Sequence, residues 1–179
     1  MTAENQSFWE WSQTIYARAG VADILLTLQD QYGLDINIIL ACIWTGDQQA
    51  ALSVQDLAAL FDFTENWAQK VTIPMRAVRR NLKNDPLATE GAVKKLRSSV
   101  KKLELQSEEI IQHAMESYLR QKMQTVSQST MHETTSADVF LEHYQASVQS
   151  KEDVTASDDI STLFKDLLVT INSKADPNA

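Results

Sequence analysis

Apolar residues recur along most of this chain at intervals of three and four, the spacing of one face of an α-helix. In the first 65 residues the pattern predicts four successive helices, over "FWEWSQTIYA", "VADILLTLQDQY", "INIILACIWTG" and "SVQDLAALF". Residues suited to cap or interrupt helices separate these segments, namely Ser7, Gly20, Gly33, Asp35 and Ser53. The third segment is apolar nearly all round, which is typical of a helix in the middle of a bundle.

The first helix carries an aromatic cluster that one buried stripe does not account for. Phe8, Trp11 and Ile15 share one helical stripe and are predicted to lie in the core. Trp9 and Tyr16 lie together about 100° away from that stripe. The pattern does not decide whether Trp9 is buried or belongs to a binding surface.

A proline and then a long uninterrupted helical pattern follow. Pro74 is expected to kink a helix or to begin a new one, because it removes a backbone donor. The next helix, "PMRAVRRNLK", presents three apolar residues with the spacing of a core face: Met75, Val78 and Leu82. One long helix is predicted over about 86–124, and its core-facing stripe comprises Val93, Leu96, Val100, Leu103, Ile110, Ala114 and Leu119.

The sequence changes character after residue 125. "TVSQSTMHETTSAD" has the composition of a linker, and two short amphipathic segments follow it. We therefore expect a helical domain over 5–125, and a tail over 126–179 whose helices either dock on the bundle or bind a partner. Docking is the favoured alternative.

Composition supports a single fold class. The chain has only four glycines and three prolines, whereas all-β folds need these residues in their many turns. We therefore predict an all-α protein: a compact bundle of about five to six helices, with the long helix near 86–124 and a helical C-terminal tail.

Three features of the sequence predict a cytoplasmic location. Cys42 is the only cysteine, which excludes an intramolecular disulfide and a cysteine-based zinc site, and its apolar surroundings indicate a small buried side chain. The N-terminus lacks the basic and apolar regions of a signal peptide. No apolar stretch reaches the ~18–20 residues of a membrane span.

Charge is concentrated in one part of the chain. Residues 76–102 carry nine of the sixteen Lys and Arg residues against two acids, while the flanking blocks 1–75 and 103–179 have net charges of −7 and −8. Two interpretations remain open. The basic segment either is neutralised by the acidic blocks within the fold or provides a stripe for RNA or an acidic protein surface.

Tests for catalytic and metal-binding patterns give no site. His113 has Glu109 and Glu116 at helical spacing, but such a trio on a surface helix is usually solvated charge. Gly-rich phosphate loops, zinc-protease motifs and nucleophile elbows do not occur in the sequence. We therefore expect no enzyme activity, no cofactor and no metal.

The block "FWEWSQTIYARAGVADILLTLQDQYGLDINIILACIW", with the later "PMRAVRRNLK", resembles a gammaproteobacterial family of small cytoplasmic proteins that carries a domain of unknown function. The similarity covers roughly residues 7–125, and Ala19 stands where the family pattern has proline. The family provides no catalytic residues to transfer. The resemblance implies a bacterial cytosolic protein.

The leading hypothesis is a non-enzymatic, adaptor-like interaction or regulatory protein with a protein partner. Three surfaces are candidates for the contact with the partner. They are the edge formed by Trp9 and Tyr16, the C-terminal helix, and a basic stripe of Arg76, Arg79, Arg80 and Lys83. The alternative is an RNA- or ribosome-associated factor that uses the basic 76–102 segment. The sequence leaves the partner and the oligomeric state open.

Overall fold

The computed structural model describes residues 6–48, 52–126, 136–149 and 157–173, which form helices joined by short turns. The all-α prediction is confirmed. The α-helices are α1 (Phe8–Tyr16), α2 (Val21–Tyr32), α3 (Ile36–Asp47), α4 (Val54–Trp67), α5 (Ile73–Asn84), α6 (Gly91–Val126), α7 (Ala137–Gln149) and α8 (Ser157–Asn172). Most of the predicted linker lies outside the described residues.

The predicted boundaries of the first helices are formed by side-chain and glycine caps. The Ser7 hydroxyl accepts a hydrogen bond from the Glu10 N–H at 3.3 Å, and the Ser7 N–H donates to the Glu10 carboxylate at 3.1 Å, which completes a capping box. The Asp35 carboxylate accepts from the Asn37 N–H at 2.7 Å. Gly20 and Gly33 have φ angles of 83° and 70°, a region that favours glycine.

Helix α3 is the centre of the core. Every residue from Asn37 to Thr45 is buried, as the all-round apolar pattern predicts. The Phe8 ring of α1 packs on the Trp44 ring with 5.4 Å between centroids. Helix α7 packs along α3, and α8 packs on α2 and α7. The domain boundary at residue 125 stays a prediction.

A widened helical turn accommodates Pro74. Residues Ala68–Thr72 form a π-helical turn between α4 and α5, in which the Ile73 N–H donates to the Ala68 carbonyl, five residues back. Proline lacks an N–H, and its ring clashes with the carbonyl four residues before it in a regular α-helix. The π turn removes that conflict by inserting one extra residue. The helical path therefore continues through Pro74 with a local defect, and α5 begins one residue before the proline.

Helices α5 and α6 form an antiparallel hairpin. A 3₁₀ turn over Pro86–Thr89 joins them, and the Asp85 carboxylate caps this turn by accepting from the Leu87 N–H at 2.8 Å. Helix α6 starts at Gly91 rather than at Pro86 and spans 36 residues, about 54 Å at 1.5 Å per residue. Its buried positions begin at Glu104, so its first three turns extend beyond the buried core.

The prediction of which hairpin residues face the core is wrong. Of the seven apolar positions predicted for α6, only Leu119 is buried, and Leu96, Leu103 and Ile110 are 51–53% exposed. Helix α5 buries no residue, and Val78 is 48% exposed. Helix α6 instead buries a side rotated by about 80° from that stripe, which shares only Leu119 with it. The buried residues are Glu104, Ser107, Ile111, Gln112, Met115 and Leu119. Periodicity identifies an apolar face but does not say what covers it.

One glycine makes the contact between α3 and α7 possible. A Cβ added at Gly46 would lie 2.5 Å from the Ala137 backbone nitrogen, whereas a Cβ at Gly91 would have no atom within 4 Å. We expect Gly46→Ala to lower the free energy of unfolding by about 1–3 kcal/mol through overpacking. This loss exceeds the ~1 kcal/mol of helix propensity that alanine would otherwise contribute.

Urea unfolding followed by circular dichroism measures the effect, with Gly91→Ala as the matched control. The control variant should be as stable as the parent or slightly more stable. Equal stability of the two variants would show that α3 and α7 do not approach as closely as described.

Candidate functional site: a cleft between α1 and the α5–α6 hairpin

Four of the six residues predicted to bind a partner line one cleft, of about 560 Å³. These four are Trp9 and Tyr16 of α1 and Arg76 and Arg79 of α5. The α1–α6 cleft, as we call it, is completed by apolar and polar side chains that include Leu26, Ile36, Lys101, Glu104, Leu105, Glu108 and Gln112. The sequence placed the aromatic pair and the arginine pair on separate surfaces, and the fold brings them together.

The other two predicted residues lie outside the cleft. Arg80 forms an ion pair with Asp30 of α2 at 2.6 Å, and both side chains are about half exposed. Lys83 is exposed near the end of α5 and makes no ion pair with any residue that the structure describes. Surface pairs of the Arg80 kind contribute little to stability.

The aromatic wall of the cleft rests on a well-anchored helix. Phe8 and Ile15 are buried, which confirms their predicted place in the core, and Trp11 packs against the core while half-buried. Trp9 is half-buried and faces the cleft, while Tyr16 is 37% exposed. The Trp9 and Tyr16 rings therefore sit on a rigid support with part of their surface accessible.

The floor of the cleft is a network of ion pairs between α5 and α6. Arg76 donates to Glu104 at 3.2 Å and to Glu108 at 3.1 Å. Arg79 donates to both carboxylate oxygens of Glu104, a bidentate arrangement that is among the stronger protein hydrogen bonds. The hairpin thus sets the first arginines of the basic segment against the acidic block that begins at Glu104. Neutralisation within the fold applies to Arg76, Arg79 and Arg80.

The two carboxylates of the floor have opposite pKa shifts. Burial raises the pKa of the Glu104 carboxyl, but hydrogen bonds from Arg79 and Arg76 outweigh burial and leave that pKa below its ordinary value. Burial raises the pKa of the Glu108 carboxyl above its ordinary value, and the positive charge of Arg76 opposes this rise only in part. Glu104 is therefore a firmly ionised anchor, whereas Glu108 holds its charge less firmly.

Three buried polar side chains join the helices beneath the cleft. The Gln112 side-chain amide donates to Asn37 of α3 at 2.8 Å, and the Ser12 hydroxyl donates to Gln112 at 2.7 Å. Sequence reasoning missed Asn37, Glu104, Glu108 and Gln112 as site residues. The signal for the three residues of α6 was a polar stripe at four-residue spacing, formed by Glu104, Glu108 and Gln112.

The other candidate groups are used structurally. The Glu116 carboxylate accepts from the Phe8 N–H at 3.0 Å and from Arg120 at 2.8 Å, while Glu109 lies 3.8 Å from His113. Within the described ranges no group of three His, Cys, Asp or Glu side chains could hold a metal ion. Cys42 is buried, and burial raises the pKa of its thiol. None of the described helices is long and apolar enough to cross a membrane.

Comparison with known proteins supports the resemblance seen in the sequence. One protein family, described as Protein of unknown function (DUF2390), matches residues 7–115. The chain belongs to this family. The DUF2390 region contains every residue that lines the α1–α6 cleft, and it ends within α6, before α7 and α8. Neither the curated proteins nor the solved structures contain a match to this chain.

The opposite pKa shifts give the ion pairs of this DUF2390 protein a defined pH dependence. Because the folded-state pKa of Glu104 lies below its ordinary value of 4.5, its stabilisation is present above pH 4.5 and is lost as pH falls through the folded pKa. We expect Glu104→Gln to lower the free energy of unfolding by about 3 kcal/mol at pH 7, because two arginines lose a buried partner. This difference from the parent should shrink towards pH 3.

Chemical denaturation at pH 7 and pH 3 checks the prediction. Glu109→Gln is the control, since Glu109 is a half-exposed carboxylate on the same helix, and it should change stability by less than about 0.5 kcal/mol. A Glu104→Gln effect of the same size at both pH values would contradict the assignment.

Proposed function

We propose that this DUF2390 protein is a non-enzymatic, adaptor-like protein of the bacterial cytosol that binds a segment of a partner protein in the α1–α6 cleft. The observation that carries the proposal is the convergence of Trp9, Tyr16, Arg76 and Arg79 on one accessible cleft. Trp, Tyr and Arg are the side chains most enriched among residues that dominate binding energy at protein interfaces.

The composition of the cleft indicates the chemistry of the segment. Tyr16, Leu26 and Leu105 are 37–49% exposed around the half-buried Trp9, so an apolar or aromatic side chain of the partner gains buried area there. Lys101 lines the cleft without an ion pair to any described residue. An acidic side chain next to the apolar one would pair with Lys101. The proposed ligand is therefore a polypeptide segment that carries an apolar anchor and a carboxylate.

The non-enzymatic part of the proposal is supported by how the ionisable groups of the cleft are arranged. Glu104 accepts from two arginines, and Glu108 accepts from one of them. A general base or nucleophile needs a partner that activates it and a free side facing the substrate. These carboxylates instead hold α5 against α6.

A second candidate, an RNA- or ribosome-associated factor, is supported by the remaining bases of the 76–102 segment. Six bases of this segment make no ion pair with any described residue: Lys83, Lys94, Lys95, Arg97, Lys101 and Lys102. Such a stripe would bind phosphates, and its affinity would fall steeply with salt because bound counterions are released. Lysines along the whole stripe would then contribute similarly.

Two adjacent lysines distinguish the candidates. Lys101 lines the cleft, whereas its neighbour Lys102 is exposed outside it. We expect Lys101→Glu to reduce capture of the partner protein and Lys102→Glu to retain it. Trp9→Ala should weaken binding by about 2 kcal/mol, a roughly 30-fold loss. Val169→Ala, at a 69% exposed position on α8, is the apolar control and should bind like the parent.

The measurement is a pull-down from native lysate with the tagged chain, with and without nuclease, at low and moderate salt, after thermal melts show that each variant is folded. A discrete protein retained by the two control variants and lost by the two cleft variants supports the cleft. Ribosomal RNA that disappears with nuclease, and that both lysine variants reduce equally, supports the second candidate. A partner protein that Trp9→Ala still binds at parental strength contradicts the cleft proposal.

A further inference from the structure

The hairpin carries a second surface whose apolar residues are left exposed or only half-buried by the described elements. On α6 these are Val93, Leu96, Val100, Leu103 and Ile110, which alternate at intervals of three and four up to Leu103. Leu96, Leu103 and Ile110 are about half exposed, although heptad spacing is the pattern by which helices pack against each other. On α5 the matching residues are Met75, Val78 and Leu82. We call these eight residues the apolar hairpin face.

Both halves of this face lie on the same side of the hairpin. Thr72 and Arg76 mark the side of α5 that contacts α6, because they bond to Ser107 and Glu104. At 100° per residue, the apolar set of α5 is rotated by about 105° from its contact side, and the apolar set of α6 by about 40°, in the same sense. In an antiparallel pair, rotation in the same sense brings the two flanks to one face. The α1–α6 cleft is on the other face, since Arg76 and Lys101 line it.

The apolar hairpin face is free of charge in the most basic part of the chain. All nine Lys and Arg residues of 76–102 lie outside it when the two helices are drawn at 100° per residue. On the flank of the α6 stripe that lies away from α5, the neighbouring positions are small or uncharged, namely Ala92, Ser99 and Gln106, while Arg97 and Glu104 lie on the flank towards α5. Depletion of charge from the centre and a polar surround are what distinguish the core of an interface from ordinary surface.

The size of the face fits association with a second copy. The apolar residues extend about 26 Å along α6 and about 11 Å along α5, and each helix is about 10 Å wide, so that the face covers about 370 Å² in each copy. The two apolar faces together cover about 740 Å², which is the apolar part of an interface of about 1,100 Å² at the roughly 65% apolar area of homodimer interfaces, the size at which specific protein interfaces begin. A two-fold axis closes this contact, because the same surface is used by both partners.

The charge distribution of α6 favours an antiparallel pairing of the two copies. Residues 94–102 carry five bases and no acid, whereas residues 104–116 carry four acids and no Lys or Arg. An axis that passes near Leu103 places the basic half of one α6 alongside the acidic half of the other. Parallel pairing would place like charges together.

We propose that the apolar hairpin face is the interface of an antiparallel homodimer in which two α5–α6 hairpins pack across a two-fold axis near Leu103. This interface is separate from the α1–α6 cleft, and each proposal can therefore fail without the other. The periodic apolar pattern of the hairpin then encodes a core shared between two chains.

Sedimentation velocity on the full chain tests the proposal. Two leucines that lie close together in the sequence but on different surfaces are each replaced by glutamate. Leu103 is 51% exposed on the apolar hairpin face, and Leu105 is 49% exposed in the lining of the α1–α6 cleft. The parent should sediment at twice the mass of the 20.1 kDa chain. Leu103→Glu should raise the dimer dissociation constant at least about 100-fold, because a carboxylate would be buried in each copy. Leu105→Glu should remain dimeric. Leu96→Glu repeats the test if Leu103→Glu does not fold by circular dichroism.

A monomeric parent at about 100 μM, or a Leu103→Glu variant as dimeric as the parent, overturns the proposal. The orientation is tested separately by spin labels at Lys95→Cys or Lys102→Cys, with the native Cys42 buried. Antiparallel pairing near Leu103 separates the two 95 labels by about 24 Å along the helix axis, and the two 102 labels by about 3 Å. Equal distances for the two labels would show parallel pairing and overturn the antiparallel interface.

Discussion

The Glu104 carboxylate, held between Arg76 and Arg79, is the contact on which the arrangement of the hairpin depends. A buried ion pair contributes modestly to stability, because desolvation offsets most of the attraction. It does define orientation, because a bidentate guanidinium accepts only a narrow range of geometries. Once Glu104 meets the two arginines, the rotation of α5 and α6 about their own axes is set.

That rotation produces both surfaces of the hairpin. On one side the arginines and the carboxylates close the floor of the α1–α6 cleft beneath Trp9 and Tyr16. On the other side the apolar residues of both helices point away from the described core. If α5 and α6 packed through their leucines, the apolar stripe would be buried within the chain and the charges would be exposed. Because the two helices pack through Glu104 and the arginines, the charges are paired between the helices and the apolar stripe stays exposed.

Much of the fold could be predicted from the sequence, because its local signals agree with the tertiary structure. Ser7 and Glu10 form the expected capping box, and α3 is buried all round as its composition indicates. The rotation of α6 could not be predicted, because Leu96, Leu103 and Ile110 form a stronger periodic signal than Glu104 and Gln112. An analysis of hydrophobic periodicity detects only apolar faces, so it misses a helix face that is buried although it is polar. Four of the six residues predicted to contact a partner line the cleft. The tertiary contact that brings them together is not contained in any local sequence pattern, so the cleft itself could not be predicted.

The π turn at Ala68–Thr72 changes the angular position of every side chain that follows it in α5. Because the π turn contains one more residue than a regular turn, every later side chain lies about 100° behind the position that it would have if the same sequence continued as a regular α-helix. That angle is close to the one that separates the arginine side of α5 from its apolar flank. A chain with a regular turn at this point would present Met75, Val78 and Leu82 where the arginines now meet Glu104. A single inserted residue, tolerated next to Pro74, therefore selects which of two chemically different hairpins this sequence forms.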